Sequence, residues 1–227
     1  MKRSEINAAI ETAAAAFSKA GWELPPFARW SPSDWPTERS EISEVLDRSL
    51  GWDVTDFGNG SYRDLGLCLV TLRNGSLEDQ ANGHGKIYGE KLLYVDVDQV
   101  TPLHHHRRKQ EDIINRSGGS LMLRLHPSTA DGDLGTEDVE VVIDVGHRTV
   151  AAGDTVCLEP GESISLPTGV YHSFWAVGAP IVAGEVSSVN DDAADNVFYE
   201  PLGRFPDIVE DEDPIRLIVG DYGRLSW

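Results

Sequence analysis

From about residue 52 onward the chain reads as short apolar runs broken by Gly, Asn and Asp. That pattern confines it to a mainly β architecture. Runs rich in Val, Leu, Ile, Thr and Tyr predict strands over residues 53–57, 65–73, 91–97, 99–106, 111–116, 120–126, 139–143, 148–151, 155–158, 163–166, 171–177 and 181–187. Asn74-Gly75 and Asn82-Gly83 are turn signals. Many short strands joined by such turns specify a barrel or a sandwich. The 227 residues contain no long-period repeat and no low-complexity linker. They amount to one large domain, or one domain with a substantial extension.

The residues before 52 follow a different period. Ile6, Ala9, Ile10, Ala13, Ala14 and Phe17 recur at helical spacing and predict a helix over 4–20, with Ser4 as N-cap and Gly21 as stop. The stretch 24–36 carries four prolines and cannot be a regular helix. Its Phe27, Trp30 and Trp35 suggest a segment that wraps along the body on aromatic anchors. A second helix is expected with Ile42, Val45, Leu46 and Leu50 on one face, ending before Gly51. Beyond residue 187 the chain turns acidic and irregular, and its Phe, Pro and Ile215–Val219 content suggests that it packs back on the barrel.

The formal net charge of −19 argues against nucleic-acid and anionic-membrane partners. No apolar run approaches the roughly 20 residues a spanning helix needs. The N-terminus has no apolar signal core. Cys68 and Cys157 sit in strand-like runs and read as small buried hydrophobes. A cytoplasmic location is the expectation.

One stretch carries the chemistry. His104-x-His106 puts two imidazoles on one face of a strand, with His105 on the other. Glu111 lies across a short turn and can reach the same point from the next strand. His172 follows Pro167-Thr-Gly169 and can be the first inward residue of its own strand. Three His and one Glu form an N3O donor set that suits Mn, Fe, Zn, Ni or Co and leaves positions open for substrate or water. His84, His126 and His147 have no partner spacing and read as structural.

These residues resemble the two motifs of the cupin superfamily. The first, G-x5-H-x-H-x3–4-E-x6-G, is met by His104, His106, Glu111 and Gly118, with Asp98 at the opening Gly position. The second, G-x5-P-x-G-x2-H-x3-N, is met by Gly161, Pro167, Gly169 and His172, with Ala176 where Asn is usual. Both departures lie outside the ligand set. The resemblance implies a cupin-type antiparallel double-sheet β-barrel (jelly roll) over residues 60–190. A helical N-terminal extension over 1–59 and a C-terminal segment over 191–227 would pack on it.

Further segments resemble the D-lyxose ketol-isomerase family of cupins. They include Leu24-Pro-Pro-Phe-Ala, Leu50-Gly-Trp-Asp-Val-Thr-Asp-Phe-Gly, Asn74-Gly, Gln99-Val-Thr-Pro, Glu111-Asp-Ile-Ile-Asn-Arg, Gly184-Glu-Val-Ser and Asp195-Asn-x-Phe. The resemblance implies interconversion of D-lyxose and D-xylulose, and of D-mannose and D-fructose, through an enediolate. It also implies Mn²⁺ as the ion (with Co²⁺, Fe²⁺, Zn²⁺ or Ni²⁺ as substitutes) and a homodimer. The residues suit that chemistry: a divalent ion stabilises the enediolate and a base moves the proton between carbons.

Glu185 is the first choice of base, because a carboxylate in the apolar run 181–186 is costly to bury without a role or a partner. A structural salt bridge is the alternative. Lys109 lies in the ligand loop and could donate to a substrate oxygen, or be a solvated turn lysine beside Arg107 and Arg108. Lys91 could contact sugar hydroxyls or lie on the surface. Asp191, with Asp192, could bond hydroxyls or cap a turn. An iron-dependent cupin dioxygenase and a non-catalytic sugar-binding cupin remain as alternatives, since cupin folds host many functions.

Overall fold

The computed structural model describes residues 1–192 and 194–225. Helix α1, Arg3–Lys19, buries Ile6, Ile10, Ala13 and Phe17 along one face, the stripe an amphipathic helix turns to a core. Its N-cap is Lys2 rather than Ser4, and the Lys2 amide donates to Glu5 Oε2 at 2.8 Å. The proline-rich stretch forms two 3-10 turns, Pro26–Arg29 and Pro32–Asp34. Trp30 packs edge-on against Trp35 at 5.4 Å, and Trp35 against Tyr222 at 5.0 Å. Helix α2, Ser43–Asp47, is shorter than its apolar spacing suggests. Ser49 takes φ +51° and breaks it, yet Leu50 still packs with Ile42 and Val45. Helix α3, Leu77–Ala81, has too short an apolar pattern to be read from sequence, and Ser76 caps it.

The strands are β1 Gly51–Thr55, β2 Leu67–Arg73, β3 Tyr88–Val95, β4 Thr101–His106, β5 Glu111–Pro127 and β6 Val139–Ile143. They continue with β7 Gly146–Val150, β8 Thr155–Leu158, β9 Ser163–Leu166, β10 Val170–Ser188 and β11 Asn196–Phe198. All their pairings are antiparallel. The runs expected at 111–116 and 120–126 are one strand, and so are those at 171–177 and 181–187. Gly118, at φ +107°, bends β5 where an added Cβ would collide with the Pro180 carbonyl oxygen. Residues 117–119, which lie between the two expected runs, are a kink within one strand where the pairing with β10 shifts register.

The two long strands join the two layers of the barrel. Residues 181–188 of β10 pair with β3 and with the first half of β5, inside the order β1-β2-β3-β10-β5-β9-β6-β7. Residues 170–177 pair with the second half of β5, and β4 joins on the other side, flanked by β11. This is the cupin-type double-sheet barrel. Strand β1 falls within the stretch 1–59.

Alternation then partitions the apolar residues between two cores. Leu69, Leu93, Ile113, Leu121, Leu123 and Phe174 fill the barrel. Cys68, Val70, Leu92 and Tyr94 point outward and are covered by α1. Phe17 stacks on Trp52 at 6.0 Å there. Strands β2 and β3 are therefore apolar on both faces, which explains the unbroken runs Leu67–Val70 and Leu92–Val95. Cys157, expected to be buried, is exposed.

Arg3 ties α1 to the C-terminal segment. Its guanidinium donates to Asp221 at 2.7 Å and Glu210 at 2.8 Å, with Arg3 and Asp221 both buried. Arg3→Ala leaves the buried Asp221 carboxylate with the exposed Arg224 at 3.8 Å and the Ile218 amide at 3.0 Å. The expected cost is about 3 kcal/mol, since breaking a buried pair is worse than never having one. A urea titration checks it as a lowered midpoint, with the activity of the folded fraction unchanged.

Candidate metal centre and active site

Strand β4 delivers His104 and His106 into the barrel, and His172 enters from β10 directly opposite His104. The three buried imidazoles can each present a nitrogen such that all three lie within 4.8 Å of one another. Two of the rings are oriented from behind. His104 Nδ1 bonds the Pro102 carbonyl at 2.8 Å and His172 Nδ1 the Val170 carbonyl at 3.0 Å. With Nδ1 as donor, Nε2 is left as a lone pair aimed inward. His105 faces the other way, its ring 4.5 Å from that of Tyr171.

Glu111 opens β5 and brings Oε1 to 3.0 Å from His172 Nε2 and 3.4 Å from His106 Nε2. These three buried atoms have no aligned hydrogen bond. Orphaned polar atoms are costly, so three that converge on one point fit a cation there. Protonation states fit as well. Burial, then the neighbouring histidines, hold His104 well below the ordinary imidazole range. Burial likewise lowers His106. Burial alone would raise Glu111, but Lys109 and His106 outweigh it and hold it well below the carboxylate range. Neutral imidazoles and an ionised carboxylate are the ligand forms a metal requires.

Beside the donors lies a charge array. Lys91 on β3 and Glu185 on β10 are cross-strand partners, with Nζ–Oε1 3.4 Å apart. Lys109, in the turn between β4 and β5, reaches Glu185 Oε1 at 2.9 Å and Glu111 Oε2 at 2.6 Å. It is buried, not a solvated turn lysine. Burial opposes its charge, but Glu111, Glu185 and Asp192 prevail and raise its pKa, so it stays an ammonium and acts as a donor. The turn is fixed by Asp195, whose carboxylate accepts from the amides of Arg108 and Lys109, each at 2.9 Å.

Asp191 does not line this cavity. It pairs with Arg108 at 3.4 Å and accepts from the Ala194 amide, so it caps a turn at the rim. Its neighbour Asp192 faces inward, 3.2 Å from Lys91 Nζ. Arg204 completes the array between Asp53, at 2.5 Å, and Asp192, at 3.4 Å. Three cations (Lys91, Lys109, Arg204) thus meet four carboxylates (Asp53, Glu111, Glu185, Asp192). That balance is short of positive charge, as a cation site should be.

The cavity left between these side chains is small, about 30 Å³. Thr101 Oγ1, Asn196 Oδ1 and Arg204 Nη1 on its lining are buried and unpartnered. A polyhydroxylated ligand would satisfy them. Arg204 and Thr101 carry no spacing signal in the sequence. Asn196 follows from the pairing of β11 with β4, which sets it opposite His106.

A double-sheet barrel with three converging histidines and an ion-paired polar cavity defines a metal-binding cupin. Within that class, the chain belongs to the D-lyxose isomerase family, whose model matches residues 1–222. It is 44% identical over 222 residues to a D-lyxose/D-mannose isomerase of Escherichia coli O157:H7, covering 96% of each chain. It is 44% identical over 228 residues to the enzyme of that name from Serratia proteamaculans, covering 99% of each. Among solved structures it is similar in fold to a Cellulomonas parahominis L-ribose isomerase with L-psicose. That match has a TM-score of 0.62 at 17% identity, over 92% of this chain and 98% of that one. An Acinetobacter sp. DL28 L-ribose isomerase in complex with L-ribose gives 0.59 at 16%, over 91% and 98%. The family places the chain among sugar isomerases, not among the oxygenases or non-catalytic cupins that the motifs alone leave open.

Proposed function

We propose that the protein is a metal-dependent aldose–ketose isomerase that interconverts D-lyxose and D-xylulose, and D-mannose and D-fructose. The observation that carries this is the position of Glu185. Its carboxylate lies beside the donor set, buried, and is oriented by two ammonium groups rather than by a single structural partner.

His104, His106, His172 and Glu111 would hold the ion. When bound, it supplies Lewis-acid polarisation of the substrate oxygens. The remaining work falls to side chains. Glu185 takes the C2 proton of the open-chain aldose and returns it to C1, while the O2 hydroxyl proton passes to O1, giving the ketose through an enediolate. Lys109, kept charged, donates toward the oxygen that gains negative charge. Lys91 holds Glu185 from the opposite side and lies within reach of a sugar hydroxyl. Thr101, Asn196 and Arg204 offer partners to the distal hydroxyls, and the surrounding Phe57, Phe174 and Phe198 exclude water.

Mn²⁺ is the proposed ion, on the strength of the family resemblance; the N3O set also accommodates Co²⁺, Fe²⁺, Zn²⁺ and Ni²⁺. The proposed setting is a cytoplasmic homodimer. No helix among the described residues is long and apolar enough to cross a membrane.

Product analysis of D-lyxose and D-mannose incubated with Mn²⁺-loaded protein tests the assignment. Xylulose and fructose, respectively, are expected. Absence of both ketoses with Mn²⁺, Co²⁺ and Fe²⁺ alike refutes it.

A further inference from the structure

The pair Asn74-Gly75 reads in sequence as a hairpin turn, but the structure uses it as a clamp. Asn74 is buried just beyond β2 and lines no part of the metal cavity. Its amide nitrogen donates to the Asn190 carbonyl at 2.8 Å and the Arg48 carbonyl at 3.4 Å. Its amide oxygen accepts from the Asn190 N–H at 3.0 Å and the Gly75 N–H at 2.9 Å. Asn74 thus grips both backbone groups of Asn190, reproducing with a side chain the paired exchange between antiparallel strand residues. The adjacent Gly75 cannot carry a side chain, since a Cβ there would collide with the Lys86 carbonyl oxygen.

What the clamp holds is chemically specific. The Asn190 side chain accepts from Lys91 Nζ at 2.9 Å. Two residues on, Asp192 accepts from the same nitrogen at 3.2 Å. Glu185 lies 3.4 Å from it. Lys91 Nζ thus hydrogen-bonds Asn190 and Asp192 and forms an ion pair with Glu185. The direction in which Lys91 addresses Glu185 therefore depends on where the Asn190–Asp192 backbone sits. Asn74 fixes that from a point 116 residues away in sequence.

We propose that Asn74 is a positioning residue for isomerisation: it holds Asn190 in place, and through Asn190 it sets Lys91 against Glu185. This rests on the isomerase reading of the site. Only an amide serves at this position. A carboxylate would face two carbonyl oxygens, and a hydroxyl cannot span both backbone groups of Asn190.

The test is a double-mutant cycle on metal-loaded protein with D-lyxose, using Asn74→Ala, Asn190→Ala and the pair. Each single variant is expected to lower kcat about 10- to 100-fold, the usual effect of losing an outer-shell partner. KM and metal content should stay near wild type, because neither residue touches the donors. The double variant should be no slower than Asn74→Ala, since both act through one chain of contacts. A wild-type kcat in Asn74→Ala overturns the proposal, as do losses that multiply in the double variant. A lowered melting temperature with kcat unchanged in the folded enzyme overturns it too. Should Asn74→Ala fail to fold, Asn190→Ala decides alone: it keeps the backbone that Asn74 grips and removes only the Lys91 contact. Reduced kcat there upholds the proposal and unchanged kcat overturns it. Wild-type protein inactive on both D-lyxose and D-mannose overturns the isomerase reading, and this inference with it.

Discussion

His172→Ala is expected to abolish stoichiometric metal binding and to lower isomerase activity by about 10³-fold or more. Lewis-acid stabilisation is worth several kcal/mol, and each ~1.4 kcal/mol is a factor of ten in rate. His172 is the right ligand to remove because it alone comes from β10, whereas His104, His106 and Glu111 come from β4 and the start of β5, joined by one short turn. Its loss also leaves Glu111 Oε1 without its 3.0 Å neighbour. The barrel should survive, because the apolar layer of Leu69, Leu93, Leu121 and Phe174 does not depend on the imidazole. Metal analysis after gel filtration, with circular dichroism as a folding control, checks both halves. A variant that keeps both one metal per chain and wild-type turnover would remove His172 from the donor set.

Glu185→Gln is expected to lower kcat about 10³-fold, within the range for removing a general base, with KM and metal content little changed. Glutamine has nearly the same shape, so β10 keeps its pairing with β3, and the amide oxygen can still accept from Lys109. What is lost is the ability to take a proton. A kcat within about tenfold of wild type would fall below the smallest usual general-base contribution. The 2.9 Å bond to Lys109 would then be only an ion pair, and the base would have to be sought elsewhere. Steady-state kinetics in both directions, from aldose and from ketose, distinguishes these outcomes.

The grouping of these four side chains was legible because two rules suffice for it. Alternation puts His104 and His106 on one face, and the motif spacing brings Glu111 and His172 to meet them. The departure at Asp98 is instructive: it takes φ +60°, left-handed backbone that a glycine would adopt without strain. The aligned gaps in the motif are thus backbone geometry, not residue identity. Legibility fell where a residue's role depends on long-range placement. Asp191 and Asp192 are neighbours with the same chemistry, and only the path of the loop decides that Asp192 faces Lys91 while Asp191 caps the rim. Arg204 reaches Asp53 across 151 residues from a proline-rich stretch with no periodic pattern. The continuity of β5 and β10 was hidden for a local reason. Gly118-Gly119 and Gly178 look like turn punctuation, yet they supply the bends that let one strand serve both sheets.

The most direct test is to strip the protein of metal, restore Mn²⁺ in measured equivalents, and follow D-xylulose formation from D-lyxose by ¹³C NMR at each step. Turnover absent in the stripped protein, rising linearly and saturating at one equivalent per chain, is the predicted result. Full turnover in the stripped protein, or none after one equivalent each of Mn²⁺, Co²⁺ and Fe²⁺, would contradict a metal-dependent isomerase built on His104, His106, Glu111 and His172.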